Sequence, residues 1–401
     1  MINKKTILVL GAGASMDYGF PSGEQLLQDI INILNGPLLH EDKDAVRMLI
    51  AAVTCRYFET KKINKTNICS QYNSVKEFEQ KFIRSSTTSI DDFISKIPED
   101  KQELKIIGKI LIILSISRLE NEQRLIYEHE TLEPSHRYYK ELGIEKTDPP
   151  ITIVSLVRGW YNYLWRKIYE GEDIPRNLKA LTIITFNYDR SIEQYLYTSL
   201  LGMAQRPEPE AREVLNENLF VHHVYGKLGK LPWQDGINAI NNYEPFQCAE
   251  LLDKIAQFRQ KNPSVELAYT NIKRWSPYIN LIDKICSIVD EIRTYTESKI
   301  ETAALEDVKN RLSLCDDLFF LGFGYHPENL KWFEPKNLAS NRLVDLAGTT
   351  YGIGKQDVIN IKSRLIKLFL GQELPSINNN IRPNYSNLTI KGFFEEVKPI
   401  G

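Results

Sequence analysis

The first 34 residues constrain this chain most, because they follow the order strand, glycine-rich loop, helix. The apolar run Ile7–Leu10 leads directly into Gly11–Ser15 (GAGAS), and residues 24–34 then show helical periodicity. This order is typical of nucleotide-binding α/β units, in which backbone N–H groups approach a phosphate. Gly11 and Gly13 have no Cβ, so a ligand could lie close to the backbone. The alternative is a plain tight turn.

The loop differs from that of a standard Rossmann dehydrogenase. The third glycine of GxGxxG would fall on Met16, and Asp29, near the spacing of the ribose-binding acid, lies within a helical pattern. Ser22 and Gln25 have the spacing of a capping box, which predicts that a helix begins there. The sequence therefore predicts a nucleotide loop of another kind.

Composition excludes several classes of function. The chain has 401 residues, 42% hydrophobic and 25% charged, with a net charge of −2; these values are typical of a globular protein and give no reason to expect direct contact with nucleic acid. Its five cysteines form no CxxC pair, so we expect no metal site. We identify no signal peptide and no apolar run long enough for a membrane span, and expect a cytoplasmic protein.

The pattern along the chain predicts an α/β fold with a large helical insertion. Strand-like runs at 180–186, 220–225, 318–323 and 343–347 alternate with helical stretches, which predicts a Rossmann-like, mostly parallel sheet with helices on both faces. Residues 1–37 and 177–401 would form this core, and residues 38–176 the insertion. Helical periodicity covers 44–58, 75–83, 90–97, 102–119, 153–169, 192–200, 243–260 and 281–313.

Polar residues follow directly after the predicted strand 180–186. Asn187 and Asp189 stand where ligands bind in parallel sheets, past the carboxyl ends of the strands. An asparagine amide both donates and accepts hydrogen bonds, so Asn187 could hold a water or a ribose hydroxyl. The alternative is that both residues cap the helix that follows.

Two histidines end the next predicted strand. Strand alternation places His223 and Tyr225 on one face and His222 on the other. Histidine is the natural general base near neutral pH, although a buried histidine with satisfied hydrogen bonds is the alternative. Gly322 lies at the end of the predicted strand 318–323 and Gly324 follows it directly, where small residues suit backbone contact with a ligand or a plain turn.

Together these motifs resemble the sirtuin-like family. Gly11–Ser15 corresponds to the family's GAGxS, Thr185–Asp189 to TQNxD, and 222–226 to a strand that carries histidine and glycine, with Phe320–Gly324 as a further match. The chain is most similar to bacterial sirtuin-like effectors of anti-phage defence, which share Pro21-Ser22-Gly23 and the SIDDF sequence at 89–93.

The resemblance implies an NAD site and an activity. Asn187 and Asp189 would face the nicotinamide ribose, and a histidine would act on the ribose hydroxyls or on water. The implied catalytic residues are Asn187, His223 and Asp189. The implied NAD-binding residues are Gly11, Ala12, Gly13, Ser15, Pro21, Asn187, Gly322 and Gly324, of which Gly11, Ala12, Gly13 and Ser15 would hold the pyrophosphate.

The chain departs from the family pattern in ways that bear on the reaction. The family histidine directly precedes glycine, but Tyr225 stands before Gly226 here. His223 is the candidate substitute, and His222 remains the alternative. The four-cysteine zinc ribbon and the PDFR motif of protein deacylases are missing from the sequence, which argues against an acyl-lysine substrate.

The resemblance therefore predicts an NAD hydrolase that depletes NAD during abortive infection. Such an activity needs restraint, so we expect a homo-oligomer or a separate partner; stand-alone effectors of this length resemble those that pair with a HerA-type hexameric ATPase. A catalytically silent sensor or scaffold that binds NAD or ADP-ribose is the main alternative, and a protein deacylase is a weaker one.

Overall fold

The computed structural model describes residues 1–35, 38–63, 67–120, 159–171, 173–202, 204–234, 244–275, 278–294, 297–299, 303–333, 345–370, 384–397 and 399–400. Elements are numbered in chain order within these ranges. The strands are β1 (Thr6–Leu10), β2 (Leu181–Thr185), β3 (Phe220–His223), β4 (Asp317–Leu321), β5 (Asp345–Thr349) and β6 (Asn384–Ser386). The helices are α1 (Gly23–Asn35), α2 (Lys43–Lys61), α3 (Ile68–Arg84), α4 (Ile90–Ser95), α5 (Gln102–Leu119), α6 (Trp160–Tyr169), α7 (Ile174–Ala180), α8 (Ser191–Gly202), α9 (Glu208–Asn218), α10 (Glu244–Lys261), α11 (Val265–Arg274), α12 (Tyr278–Val289), α13 (Ala303–Leu314), α14 (Pro327–Trp332), α15 (Lys355–Leu370) and α16 (Ile390–Glu396).

The strands form one parallel sheet in the order β3-β2-β1-β4-β5-β6. The predicted Rossmann-like α/β class is confirmed, because this is the strand order of a doubly wound fold. Every side chain of β1, β2 and β4 is buried, as expected for strands that helices cover on both faces. The strand order reverses between β1 and β4, where ligands bind in such sheets.

The strands end level with one another at this reversal. Leu10 of β1 pairs in register with Thr185 of β2 and with Leu321 of β4. The loops that follow these three strands therefore leave the sheet side by side. This register brings Gly11, Phe186 and Gly322 together at the carboxyl ends of the strands, although they are far apart in sequence.

Most predicted elements are present, with some changes in their bounds. The predicted helix 281–313 is two helices, α12 and α13, because Thr294 and Glu297 form a capping box that starts a new turn between them. The strand expected at 343–347 is β5, where Gly348 and Thr349 pair with β6. The described chain also contains one strand, β6, and six helices that were not predicted: α7, α9, α11, α14, α15 and α16. Residues 153–158 of the helix expected at 153–169 lie outside the described residues.

The helical unit beside the sheet is built from two stretches of the chain. Helix α2 packs against α3 and α5 of the expected insertion and also against α10 and α12, which lie between β3 and β4 in sequence. Ion pairs join the two stretches: Arg56 contacts Asp283 at 2.6 Å, and Arg259 contacts Asp42 at 2.9 Å.

Helix α6 belongs to the sheet side, although it falls within 38–176. It packs against α7, α8 and α16, and Trp160 Nε1 donates to the Ala14 carbonyl at 2.7 Å. The side chain of Tyr161 bonds Ser191 Oγ at 2.7 Å and stacks on Tyr18. In the part of the chain that the structure describes, no helix is long and apolar enough to cross a membrane.

Candidate functional site

A cavity of about 520 Å³ lies at the carboxyl ends of β1, β2 and β4. This volume is within the usual range of small-molecule sites. Its wall on the sheet side comes from the loops after these strands and from the start of α1, and its opposite wall comes from α4 and the loop before it. The cavity is lined by Gly11, Ala12, Ser15, Phe20–Gly23, Leu26, Thr88, Ser89, Asp91, Asp92, Ser95, Lys96, Ile116, Phe186–Asp189, Tyr225, Phe323, Gly324, His326, Glu328 and Asn329.

The glycines of the first loop pack against the loop after β4. The Gly11 amide donates to the Leu321 carbonyl at 3.1 Å, and the Gly13 amide donates to the Gly322 carbonyl at 3.0 Å. A Cβ on Gly11 would lie 2.5 Å from the Gly322 oxygen, and Gly322 itself has a φ of +56°, where glycine is favoured. Gly13 and Gly322 therefore allow two loops to touch, and neither lines the cavity.

Most amides of the glycine loop are bonded within the protein. Residues 12–14 and 16–18 form two 3₁₀ turns, in which the Ala14 and Ser15 amides donate to the carbonyls of Gly11 and Ala12. Among the described groups, the Ala12 amide is the one in this loop without an acceptor. Of the backbone amides expected to bind a phosphate, the Ala12 amide and those at the start of α1 thus remain.

Helix α1 begins at the cavity with the predicted capping box. The Ser22 amide donates to Gln25 Oε1 at 2.8 Å, and the Gln25 amide donates to Ser22 Oγ at 3.1 Å. Pro21, Ser22 and Gly23 line the cavity directly before and within the first turn. Since a helix N-terminus carries a partial positive charge, this wall favours an anionic group.

Asn187 joins β2 to the glycine loop. Its Nδ2 donates to the Gly11 carbonyl at 3.0 Å and to Ser15 Oγ at 3.1 Å. The side chain is 8% exposed, and its Oδ1 accepts no hydrogen bond from any described group. A buried amide oxygen without a donor costs free energy unless a ligand or water supplies one. Asn187 lines the cavity, and its amide oxygen lacks a donor that a ligand or water would supply.

Asp189 is fixed by serines on both sides. Its Oδ2 accepts from Ser15 Oγ at 2.8 Å, and its Oδ1 accepts from the Ser191 amide at 3.1 Å and from the Ser191 hydroxyl. Burial raises the pKa of this carboxyl above its usual range, against the hydrogen bonds from Ser191 and Ser15. Asp189 caps α8, as the alternative interpretation expected, and also lines the cavity.

His223 lies behind Asn187 and does not line the cavity. Its Nδ1 is 3.0 Å from the Asn187 carbonyl, and its Nε2 is 3.1 Å from Glu193 Oε1. Burial raises the pKa of Glu193, but Lys227 and His223 more than offset this, so the pKa lies below its usual range. Both ring nitrogens are thus engaged by groups of the protein, away from the cavity.

His222 also lies outside the cavity wall. Its ring is 5.8 Å from that of Trp332, and its buried Nε2 has no partner among the described groups. Burial lowers the pKa of His222 to about 4, with smaller effects from His223 and Arg293. Neither of the two strand histidines therefore faces the cavity.

Other polar groups reach the cavity instead. The Tyr225 hydroxyl donates to Asn329 Oδ1 at 2.6 Å. His326 and Glu328 follow β4 and line the same side. No sequence pattern predicted a role for these residues, although the stretch after β4 indicated a ligand-binding position at this edge of the sheet.

The helical wall, formed by α4 and the loop before it, brings the carboxylates of Asp91 and Asp92 to the cavity. The Tyr188 hydroxyl donates to Asp91 Oδ1, whereas Asp92 pairs with Lys96 Nζ at 2.7 Å. Burial raises the pKa of Asp91 to about 6; the Tyr188 hydrogen bond lowers it and the charge of Asp92 raises it. Gly108 of α5 allows this approach, because a Cβ there would lie 2.7 Å from Ile94 of α4.

Aromatic rings form the apolar part of the wall. Phe186 lies 5.0 Å from Phe323 and 5.6 Å from Tyr225, measured between ring centroids. All three line the cavity. A planar ring could pack against this surface, and the polar groups around it would fix its orientation. Among the described residues, no three His, Cys, Asp or Glu side chains are placed to hold a metal ion.

Seven of the ten predicted site residues line the cavity: Gly11, Ala12, Ser15, Pro21, Asn187, Asp189 and Gly324. Gly13, Gly322 and His223 stand behind the wall and support it. No known protein-family model, curated protein or solved structure matches the chain. A function is therefore inferred from the chemistry of the cavity.

Proposed function

We propose that this cavity binds NAD and that the protein hydrolyses it to nicotinamide and ADP-ribose. The observation that carries the proposal is the buried Oδ1 of Asn187, which has no described donor and belongs to a side chain of the cavity wall. A ribose hydroxyl or an attacking water would supply that donor. The resemblance of Thr185–Asp189 to the TQNxD motif supports the same role.

The ends of the dinucleotide have distinct surroundings in this proposal. The pyrophosphate would lie at the Ala12 amide and the first turn of α1, where the helix N-terminus favours negative charge. The nicotinamide ring would pack on Phe186 and Phe323. The nicotinamide ribose would lie between the pyrophosphate and the nicotinamide ring, close to Asn187. Gly324 would contribute backbone contact, since a Cβ there would meet no described atom within 4 Å.

The reaction builds positive charge on the ribose as the bond to nicotinamide breaks. Fixed oxygens near the developing charge stabilise it, and they are most effective when they need not reorganise. The amide oxygen of Asn187 is fixed in this way, because its Nδ2 is held by Gly11 and Ser15. Asp189 holds Ser15 in turn and is a positioning residue in this proposal.

We assign His223 a positioning role in place of the catalytic role that the sequence predicted. Its ring holds the Asn187 backbone carbonyl and the Glu193 carboxylate. Loss of this contact would let the strand end that carries Asn187 shift. A positional error of about 1 Å in a reacting group can lower a rate about 10²-fold.

The biological setting follows from the resemblance. NAD depletion would act in anti-phage defence through abortive infection, with release of the activity on infection. Restraint would come from self-assembly or from a HerA-type hexameric ATPase, as in the sirtuin-like effectors that this chain resembles. These parts of the proposal rest on family likeness.

The test replaces the residue that carries the proposal. Purified protein is incubated with NAD, alone and with lysate from infected cells, and nicotinamide and ADP-ribose are followed by chromatography. We expect Asn187→Ala to lower product formation by about 10²–10³-fold, as for loss of one fixed oxyanion-hole group. Asn310→Ala, at an exposed position of α13, is the matched control. NAD loss at the normal rate in Asn187→Ala would disprove the proposed site.

A second candidate function is a sensor or scaffold that binds NAD or ADP-ribose without chemistry. The observation that favours it is the geometry of His223, which is outside the cavity wall with both ring nitrogens engaged. Nucleotide binding measured by calorimetry, with no nicotinamide released over hours, would establish it. In that case we expect Asn187→Ala to weaken binding.

A further inference from the structure

We propose that Asp91, which the inserted helical unit places in the cavity, is the general base that activates the attacking water. The proposal rests on the NAD hydrolase function proposed above and names a residue that the strand-end motifs do not contain. Asp91 lies on α4 and faces the loop after β2, where Tyr188 donates to its Oδ1. The reaction would therefore need both walls of the cavity.

Among the described carboxylates of the cavity wall, Asp91 is the one whose oxygens are least engaged by hydrogen bonds and ion pairs. Asp189 accepts from Ser15 and Ser191 through both of its oxygens. Asp92 accepts from Lys96 and Thr87, and Glu328 pairs with Lys331. Asp91 accepts from the phenol of Tyr188 and from its own backbone amide, and neither donor carries a charge.

A second observation marks the same cavity as a place where a polar ligand binds. Asn187 Oδ1 is buried and has no donor among the described groups. Asn187 and Tyr188 are neighbours after β2, so the amide oxygen and the hydroxyl that donates to Asp91 belong to the same short segment. A water or hydroxyl bound by Asn187 would thus lie in the cavity that Asp91 lines.

The proton balance of the step is simple. The bond between the nicotinamide nitrogen and the ribose carbon breaks, and its electron pair stays with the nicotinamide, which leaves as a neutral molecule. The water oxygen bonds to that carbon, and Asp91 takes the proton that the water loses. The protonated Asp91 then returns the proton to solvent. No oxidant, reductant or metal takes part.

The environment of Asp91 suits this role near neutral pH. A general base works best when its pKa is close to the working pH, and burial raises the pKa of Asp91 to about 6. The titratable groups that act on it are Tyr188, after β2, and Asp92, on its own helix. Asp92 is paired with Lys96, and Glu297, which acts on Tyr188, is paired with Lys109.

The experiment compares Asp91→Asn with the wild-type protein and with Asp100→Asn, which makes the same change at an exposed position beyond α4. We expect Asp91→Asn to lower kcat by about 10²–10³-fold while KM for NAD changes less than about threefold, as for loss of a general base. The wild-type rate should rise with pH through an ionisation near 6 that Asp91→Asn lacks. Asp100→Asn should match the wild type in all three measurements.

Chemical rescue separates a base from a merely structural carboxylate. Azide needs no deprotonation, so it should restore nicotinamide release to Asp91→Asn by at least about tenfold and form an azido sugar. It should not restore release to Asn187→Ala. Tyr188→Phe removes the hydrogen bond that lowers the pKa of Asp91, so the pH profile of this variant should shift upward.

Two results would overturn the proposal in different ways. If Asp91→Asn keeps the wild-type rate and pH profile while Asn187→Ala is inactive, Asp91 is not the base and the NAD hydrolase stands. Absence of azide rescue in an inactive but folded Asp91→Asn protein would also reject the base. If the wild-type protein releases no nicotinamide under any condition, the proposed function fails, and this inference fails with it.

Discussion

The two walls of the cavity differ in how their polar groups are used. On the sheet wall, most loop amides donate to loop carbonyls, and Asn187 Nδ2 and the Asp189 oxygens are bonded to neighbouring groups. The Ala12 amide and Asn187 Oδ1 are left without described partners. On the helical wall, Asp91 accepts from the Tyr188 phenol and from its own backbone amide, and its pKa is raised to about 6. The sheet wall fixes the shape of the site, and the helical wall adds a carboxylate that titrates near neutral pH.

The walls meet at a buried ion pair, and its loss should give the largest effect. Arg190 follows Asp189, and its Nη2 contacts Glu120 Oε2 at 2.5 Å at the end of α5; the two side chains are 1% and 3% exposed. Arg190→Met would leave the Glu120 carboxylate buried without its partner, so we expect a loss of about 3–5 kcal/mol in the free energy of unfolding. Urea denaturation measures this change.

The control for this prediction is an exposed ion pair. Arg206 pairs with Glu210 on the protein surface, where both side chains are about 40% exposed, and Arg206→Met should cost less than about 1 kcal/mol. If Arg190→Met were as mild as Arg206→Met, the two walls would not depend on this junction. They would then have to be held together by the apolar contacts alone.

The contact between Gly13 and Gly322, where the first loop meets the loop after β4, gives the next largest effect. A Cβ at Gly322 would lie 2.3 Å from the Ala14 amide nitrogen, at a φ of +56°. We expect Gly322→Ala to destabilise the protein by about 2–4 kcal/mol, through backbone strain and the clash between loops. Gly324→Ala is the matched control, because its Cβ would meet no described atom within 4 Å.

Gly324→Ala also tests the proposed ligand site. Gly324 lines the cavity whereas Gly322 does not, so Gly324→Ala should keep the wild-type stability and weaken NAD binding measured by calorimetry. Equal destabilisation by the two substitutions would contradict the distinction between packing glycines and ligand-facing glycines. Unchanged NAD binding in Gly324→Ala would remove Gly324 from the ligand site.

The sheet wall was far more predictable from the sequence than the helical wall. Local patterns mark it: a glycine loop after β1, the capping box at Ser22, and Asn187 directly after β2. The rule that ligands bind at the carboxyl ends of parallel strands then places these residues together. Asp91 follows no strand, and its place depends on how α4 packs against α5 at Gly108, a tertiary contact that no local pattern specifies.

His223 shows a second limit of sequence reasoning. Strand alternation gave its face of the sheet but could not show that Glu193 and the Asn187 carbonyl engage both ring nitrogens. Glu193 lies on α8, thirty positions earlier in the chain. Similarly, spacing could not distinguish Gly13, which does not line the cavity, from Gly11 and Ala12, which do.

The charge on the helical wall predicts a pH dependence of stability. Because the folded-state pKa of Asp91 is about 6, above the usual 3.8, the folded protein binds more protons than the unfolded chain between these values. Stability is therefore lost as pH rises from about 4 to 6. We expect Asp91→Asn to gain about 2–3 kcal/mol relative to the wild type between pH 4 and pH 7, as measured by urea denaturation.

Asp100→Asn serves as the control for this comparison, since its carboxylate is exposed. The difference in stability between Asp100→Asn and the wild type should not vary over the same pH range. If the wild type and Asp91→Asn showed the same pH dependence, the helical wall would not carry the titrating charge. The contrast between a fixed wall and a titrating wall would then be wrong.

The smallest expected effect concerns the capping box at the rim of the sheet wall. Ser22 Oγ accepts from the Gln25 amide, and Gln25 Oε1 accepts from the Ser22 amide. Ser22→Ala removes one of these bonds, so we expect a loss of about 1 kcal/mol in the free energy of unfolding. Because the backbone of the first turn of α1 would still face the ligand, NAD affinity should fall less than about threefold. A much larger loss of affinity would show that the Ser22 hydroxyl itself contacts the nucleotide, and that the sheet wall supplies binding groups as well as shape.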